Sequence, residues 1–198
     1  DIYTDFQIIN DSFNFIQKLI PGTQLKINTI GSIKDRENYI KVLHNYFLDN
    51  KSDLSPESLE KLDNNTLRIL DSNNDIDSGV INNAPNISDY INTESKNNFD
   101  SLLKLLSSIN IGYKIDNSLV RGLDYYNDLT FEFHTPDNVV IGGGGRYDNL
   151  SNILSLGNFK GVGVAFGLER IMDNINAPVS EKKCYLLGSN IENIVKYS

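Results

Sequence analysis

Apolar and polar residues change period several times along this chain, and each change marks an element. Phe6, Ile9, Phe13, Ile16 and Ile20 recur at spacings of three and four, the stripe of an amphipathic helix that Pro21-Gly22 ends. Thr4 and Gln7 have the form of a capping box for it. Leu25, Ile27 and Thr29 then alternate with Lys26, Asn28 and Ile30 up to Gly31, which predicts a short strand. The helical period returns in Arg36, Ile40, Leu43 and Phe47, and Ser55-Pro56 starts another helix with proline in its first turn. Between residues 71 and 98 large apolar side chains thin out among Asn, Asp and Ser, the makeup of long surface loops or of an insertion packed on the main core.

The main core resumes at Thr93, the expected cap of a helix with Phe99, Leu102, Leu106 and Ile109 on one face and Gly112 as its stop. Tyr113 and Ile115 begin a strand. Further on, Leu129, Phe131 and Phe133 alternate with Thr130, Glu132 and His134, a period of two that turns one face to the core and the other away. Pro136-Asp137-Asn138 reverses the chain into a return strand from Val139, so an antiparallel ladder is expected. Val162, Val164 and Phe166 form a strand between glycines, and residues 168–175 continue as a helix with Arg170 in its first turn. Residues 183–188 read as the first strand of a new unit. This order argues for an α+β fold rather than repeated βαβ units. It divides the chain into 1–34 and 94–178 as core, 35–93 as a mostly helical insertion, and 179–198 as the start of a further domain cut short.

Composition narrows the chemistry. With 198 residues, 39% of them hydrophobic and 10% aromatic, the chain can bury one sizeable core with a small appendage. A net charge of -8 and a pI near 4.7 exclude the bulk of it as a nucleic-acid surface. One cysteine, Cys184, and two histidines, His44 and His134, give neither an internal disulfide nor zinc-type spacing, so no protein-held metal is expected and a reducing cytoplasm fits. No apolar run reaches the length of a membrane span. Asp1 begins neither a signal peptide nor a natural translation start, and the chain reads as a fragment.

The candidate chemistry lies in three stretches. Residues 119–133 read Leu-Val-Arg-Gly-Leu-Asp-Tyr-Tyr-Asn-Asp-Leu-Thr-Phe-Glu-Phe, placing Arg121, Asp124, Tyr125 and Tyr126 just ahead of the alternating strand. Taken alone, Arg121 reads either as a surface partner of Asp124 or as a guanidinium fork for phosphate beside two phenols. Residues 142–150 read Gly-Gly-Gly-Gly-Arg-Tyr-Asp-Asn-Leu, and residues 161–172 read Gly-Val-Gly-Val-Ala-Phe-Gly-Leu-Glu-Arg-Ile-Met. The three in this order resemble the catalytic domain of the histidyl-tRNA synthetases, class II aminoacyl-tRNA synthetases. Arg-Gly-Leu-Asp-Tyr-Tyr and Ala-Gly-Gly-Arg-Tyr-Asp are that family's two histidine signatures, and Gly-Leu-Glu-Arg ends its motif 3. Leu-Arg-Ile-Leu-Asp-Ser at residues 67–72, followed by Asn83-Ala84-Pro85, resembles its upstream segment. Gly143 replaces the family's alanine and Asn149 its usual glycine.

The resemblance implies an antiparallel class II sheet with flanking helices, and activation of histidine by ATP before transfer to tRNA(His). Arg121 would hold the histidine carboxylate and an α-phosphate oxygen together. Tyr125 and Tyr126 would line the histidine pocket, with one of the two pointing inward. Gly144 and Gly145 would wall a ligand site through close backbone approach or positive φ, as an ordinary tight turn also would. Arg146 and Tyr147 would be pocket residues, Arg146 alternatively a structural partner of Asp148. Arg170 would contact ATP, unless it is a surface charge. Glu132 would help hold Mg²⁺ on the phosphates, unless it is merely solvated. His44 and His134 receive no role. Motifs 1 and 2 would lie before Asp1, an anticodon-binding domain after Ser198, and the intact protein would be a homodimer. A non-catalytic paralogue, such as the regulatory subunit of ATP phosphoribosyltransferase, is the alternative. The short turn after His134 is more like that group.

Overall fold

The computed structural model describes residues 1–119 and 126–175. Helix α1 (Ile2–Leu19) starts one turn earlier than the Thr4 box predicts, because Ile2 already packs on the core and the Asp1 carboxylate accepts the Thr4 N–H at 2.9 Å. Strand β1 (Gln24–Thr29) follows the turn at Gly22. Asn92, not Thr93, caps helix α5 (Thr93–Ser108), its side-chain oxygen accepting the Ser95 N–H at 2.9 Å. Strands β2 (Tyr113–Ile115), β3 (Asn127–His134), β4 (Val140–Arg146) and β5 (Val162–Phe166) complete a sheet in the order β2-β1-β3-β4-β5. Short helix α6 (Leu150–Ile153) and helix α7 (Leu168–Asn174) flank β5.

The sheet is α+β in context and antiparallel from β1 through β5, but β2 pairs with β1 in parallel, Leu25 opposite Tyr113. A wholly antiparallel ladder is therefore corrected at this edge. The chain returns from β1 to β2 through the insertion and α5, and a long crossover of that kind delivers a strand in the original direction. Glycines 142–145 do not form a loop. They are the body of β4, with none of them at positive φ.

One sheet face carries Leu25, Ile27, Leu129, Phe131, Phe133 and Ile141, all buried beneath α1 and α5, where Ile9, Ile16, Leu102 and Leu106 meet them. Phe133 stacks on Phe166 with ring centroids 5.6 Å apart. Burial of each such side chain contributes about 1.5–3 kcal/mol.

The segment between β1 and α5, which the sequence reading takes as an insertion, builds a second apolar cluster from helix α2 (Ile33–Asp49), helix α3 (Pro56–Asn64), helix α4 (Asp75–Asn82) and short 3₁₀ turns, centred on Tyr39, Leu43, Phe47, Leu67 and Ile69. Ser55 caps α3 with Pro56 in its first turn. Long surface loops are one of two readings of residues 71–98, and they do not describe it: α4 and a 3₁₀ turn at Ile87–Asp89 occupy much of the stretch. What orders this polar stretch is Asp77, fully buried, which accepts the Ser55 N–H at 2.7 Å and the hydroxyls of Ser55, Ser58 and Ser72 at 2.9, 2.6 and 2.6 Å. Burial alone would raise its carboxyl, yet these donors outweigh it and bring the pKa down to about 2. Asp35 ties the ends of the insertion together, its carboxylate accepting the Ser32 N–H at 2.9 Å and an Asn92 amide hydrogen at 2.5 Å.

Candidate active site

Strand alternation turns Lys26 and Asn28 of β1, Thr130, Glu132 and His134 of β3, Gly143 and Gly145 of β4, and Gly163 and Ala165 of β5 to the other face. Three of these nine positions are glycines with no side chain, and they make room for phenols. A Cβ at Gly145 would sit 2.9 Å from the Tyr126 ring. One at Gly161 would lie 2.5 Å from the Tyr147 ring, and one at Gly163 would lie 2.7 Å from the Tyr147 hydroxyl. Tyr126 is buried, and its ring meets that of Tyr147 edge to face with centroids 6.5 Å apart. Gly144 needs correcting as a ligand contact. It faces the apolar layer, where a Cβ would strike the Gly163 carbonyl and come within 2.8 Å of the Phe131 ring.

An open cleft of about 570 Å³ lies over this surface, bordered by Tyr126, Glu132, Gly143, Ala165 and Arg170. Arg170 stands in the first turn of α7 and donates from Nη1 to the Val140 carbonyl at 2.9 Å, which steadies its stem at the rim. Glu132 is the carboxylate lining the cleft among the described residues. Its Oε2 lies 3.0 Å from His134 Nε2. Neither histidine is assigned a partner from the residues alone, but both have one: His44 lies 3.3 Å from Asp63 at the surface.

Arg146 points the other way, toward α1, and of its two readings the ion pair is the one its contacts fit. Nη2 donates to Asp5 at 2.5 Å and to the Asp1 carbonyl at 3.2 Å, Nε donates to Asp5 at 3.3 Å, and Nη1 reaches Asp148 at 2.9 Å. The pair with Asp5 is almost wholly buried. Burial pushes the Asp5 carboxyl up while the guanidinium opposes that shift; the guanidinium itself is held more firmly protonated by the two carboxylates, against burial. Asp148 continues the brace by accepting the Gly161 N–H at 3.0 Å, and its own N–H donates to Asn127 at 2.8 Å. Asp5 and Asn127 escaped sequence reasoning because their partners are distant in the chain. A buried acid on the apolar stripe of α1 was the available sign.

Arg121 and Tyr125 lie outside the described residues, as do residues 179–198. The chain reaches the signature at Leu119, whose carbonyl accepts the Asn28 amide at 3.3 Å and the Thr130 hydroxyl at 3.0 Å, both from the polar sheet face. It leaves at Tyr126 on that same face. Asn28 and Thr130 are thus two further residues that hold the site, and alternation had already turned both away from the core.

A sequence model of the family described as histidyl-tRNA synthetase matches residues 47–171. The chain belongs to the histidyl-tRNA synthetase family. It is 38% identical over 200 residues to the chloroplastic histidine-tRNA ligase of Porphyra purpurea, covering 97% of this chain and 46% of that relative. Its fold matches apo histidyl-tRNA synthetase of S. aureus with a TM-score of 0.67 at 26% identity, over 88% of this chain and 43% of that one. A solved protein described as an ATP phosphoribosyltransferase regulatory subunit/histidyl-tRNA synthetase, from Bacillus halodurans C, shares the fold at TM-score 0.57 and 18% identity, over 89% of this chain and 50% of that one. The chain spans about half the length of these relatives or less. Among the described residues no helix is long and apolar enough to cross a membrane.

Proposed function

We propose that this chain supplies the second half of a catalytic domain that activates histidine with ATP and passes the histidyl group to tRNA(His), within a longer, homodimeric protein of the cytoplasm. The observation that carries this reading is the convergence of Tyr126, Glu132 and Arg170 on one cleft floored by glycine, at the place where the first histidine signature enters and leaves the fold. A volume of about 570 Å³ lies within the usual range for a small-molecule site.

The histidine carboxylate attacks the α-phosphorus of ATP, and pyrophosphate leaves. Such in-line displacement draws its acceleration from positioning and from fixed charge. In this scheme Arg121 bridges carboxylate and α-phosphate, and Arg170 neutralises the nucleotide from the rim. Tyr126 and Tyr147 wall the imidazole, with Tyr125 as the neighbouring phenol and Gly145 and Gly163 leaving the space. Arg146 serves as a brace holding β4 to α1 rather than as a ligand. Mg²⁺ would arrive with the nucleotide and offset its negative charge. A hydrated Mg²⁺ takes one or two carboxylates besides phosphate oxygens, and Glu132 suits that requirement.

The test is histidine-dependent ATP-pyrophosphate exchange by the full-length protein. Arg121→Ala is expected to slow adenylate formation by on the order of 10² to 10³ while leaving histidine binding intact, the cost of one transition-state donor. Adenylation at the wild-type rate in that variant would contradict the assignment. A second reading, a regulatory paralogue, is favoured by the short β3–β4 turn, where the Thr135 N–H already bonds the Val139 carbonyl at 2.9 Å. Histidine binding without exchange in the full-length protein would select it.

A further inference from the structure

Two charged side chains of the cleft are tied to one turn. The β3–β4 connection closes through the Thr135 N–H to the Val139 carbonyl at 2.9 Å, the Asn138 N–H to the Thr135 carbonyl at 2.9 Å, and the Val139 N–H to the Thr135 hydroxyl at 3.1 Å, with Asn138 at a φ of 64°. This cross-bonded turn is a firm anchor. On one side it offers the Val140 carbonyl to Arg170. On the other, the Asn138 carbonyl lies 3.4 Å from His134 Nδ1, and the opposite ring nitrogen, Nε2, lies 3.0 Å from the Glu132 carboxylate. The His134 side chain is only 5% exposed, whereas Glu132 reaches the cleft.

We propose that His134 is a positioning residue, a strut that carries the order of the turn to the Glu132 carboxylate and fixes it in the cleft opposite Arg170. The proposal rests on reading this face as the histidine-activating site. A glutamate on a strand has three freely rotating side-chain bonds, and a donor on one carboxylate oxygen removes most of that freedom before a ligand arrives. His134 is suited to the task because its ring is rigid and buried and spans from the turn to residue 132, two positions back on the same strand face. His134 Nε2 stands 3.0 Å from this carboxylate oxygen, while Lys26, opposite Glu132 in register, lies 3.7 Å from Asp116, and Arg170 Nη1 bonds the Val140 carbonyl.

The experiment compares His134→Leu and His134→Gln in the full-length protein by exchange at varied histidine, ATP and Mg²⁺, with thermal unfolding alongside. His134→Leu is expected to lower kcat about tenfold and to raise the Mg²⁺ needed for half-maximal rate by about tenfold, the lower end of the range for outer-shell partners of a metal ligand. KM for histidine should stay within twofold. His134→Gln, which keeps an N–H donor at similar reach, should recover most of the rate. In a Glu132→Gln background, His134→Leu should cost nothing more. Wild-type kinetics in His134→Leu would overturn the strut, as would a loss of rate that Gln does not rescue and that follows the melting temperature. Absence of exchange in the wild-type protein would instead overturn the reading of the face itself.

Discussion

The two faces of the central sheet are made by the same strands and have opposite characters. Beneath α1 and α5, Leu25, Ile27, Leu129, Phe131 and Phe133 form a buried apolar layer. One residue along each strand, Asn28, Thr130, Glu132, Gly143, Gly145 and Gly163 make a surface that is half polar and half empty. The apolar face spends its side chains on burial. The other keeps backbone bare so that Tyr126 and Tyr147 can lie against it and a cleft can remain above. A period of two therefore encodes stability and function in one segment. Substitutions should separate accordingly.

The largest expected effect is on the closed face. Phe133→Ala removes a fully buried ring stacked on Phe166 and should destabilise the protein by about 3–5 kcal/mol, measured by denaturant unfolding. Next comes the brace between the faces. Arg146→Met leaves Asp5 buried without its cation and should cost about 3 kcal/mol near neutral pH. The Asp5 carboxyl is already pushed up by burial and rises further once the guanidinium is gone. The deficit should therefore shrink as pH falls from that raised folded value toward about 4, and be smallest below it, where the carboxyl is protonated in the folded and unfolded chains alike. A deficit independent of pH would show that packing of the arginine stem, not its charge, is what matters.

The insertion sharpens the contrast, since it too depends on a polar interior. Asp77 has a folded pKa of about 2, below the unfolded value of about 3.9, so its contribution to stability is present above pH 4 and lost as pH falls toward 2. Acid titration followed by tyrosine absorbance and circular dichroism should show the insertion loosening before the sheet. Asp77→Asn should abolish that early step. The smallest effect on stability belongs to the open face. Thr130→Val removes one of two side-chain bonds to the Leu119 carbonyl, about 1 kcal/mol, and should lower exchange about tenfold because the signature segment loses its anchor. Equal losses of stability from Thr130→Val and Phe133→Ala would break the comparison.

Much of this was legible in the residues. Alternation through Leu129, Phe131 and Phe133 named the buried face, and the stripes of α1, α2 and α5 were visible as helical periods because they pack on apolar clusters. Ser55-Pro56 gave a helix start correctly for the same local reason, a side-chain cap three residues from its donor. What stayed hidden depended on contacts between distant residues. Asp77 orders a stretch whose composition resembles loops, and its serine partners lie up to 22 positions away. Arg146 finds Asp5 across 141 positions. The glycines of β4 suggested a turn because nothing local distinguishes a glycine that frees φ from one that admits a neighbouring ring. The direction of β2 likewise follows from the crossover through the insertion and α5, not from Tyr113 or Ile115.

The claim that the glycine face is the working face is tested most directly by Gly163→Ala in the full-length protein, with histidine-dependent exchange and thermal unfolding measured on the same preparation. The added methyl lies 2.7 Å from the Tyr147 hydroxyl and must displace that ring, while the residue is only half-buried and its backbone pairing with Gly145 is unchanged. Exchange should fall at least tenfold, with a melting temperature within a few degrees of wild type, since the cost falls on a side chain that can move. Exchange at the wild-type rate, with Tyr147 shown to be displaced, would contradict the assignment of this face to histidine activation.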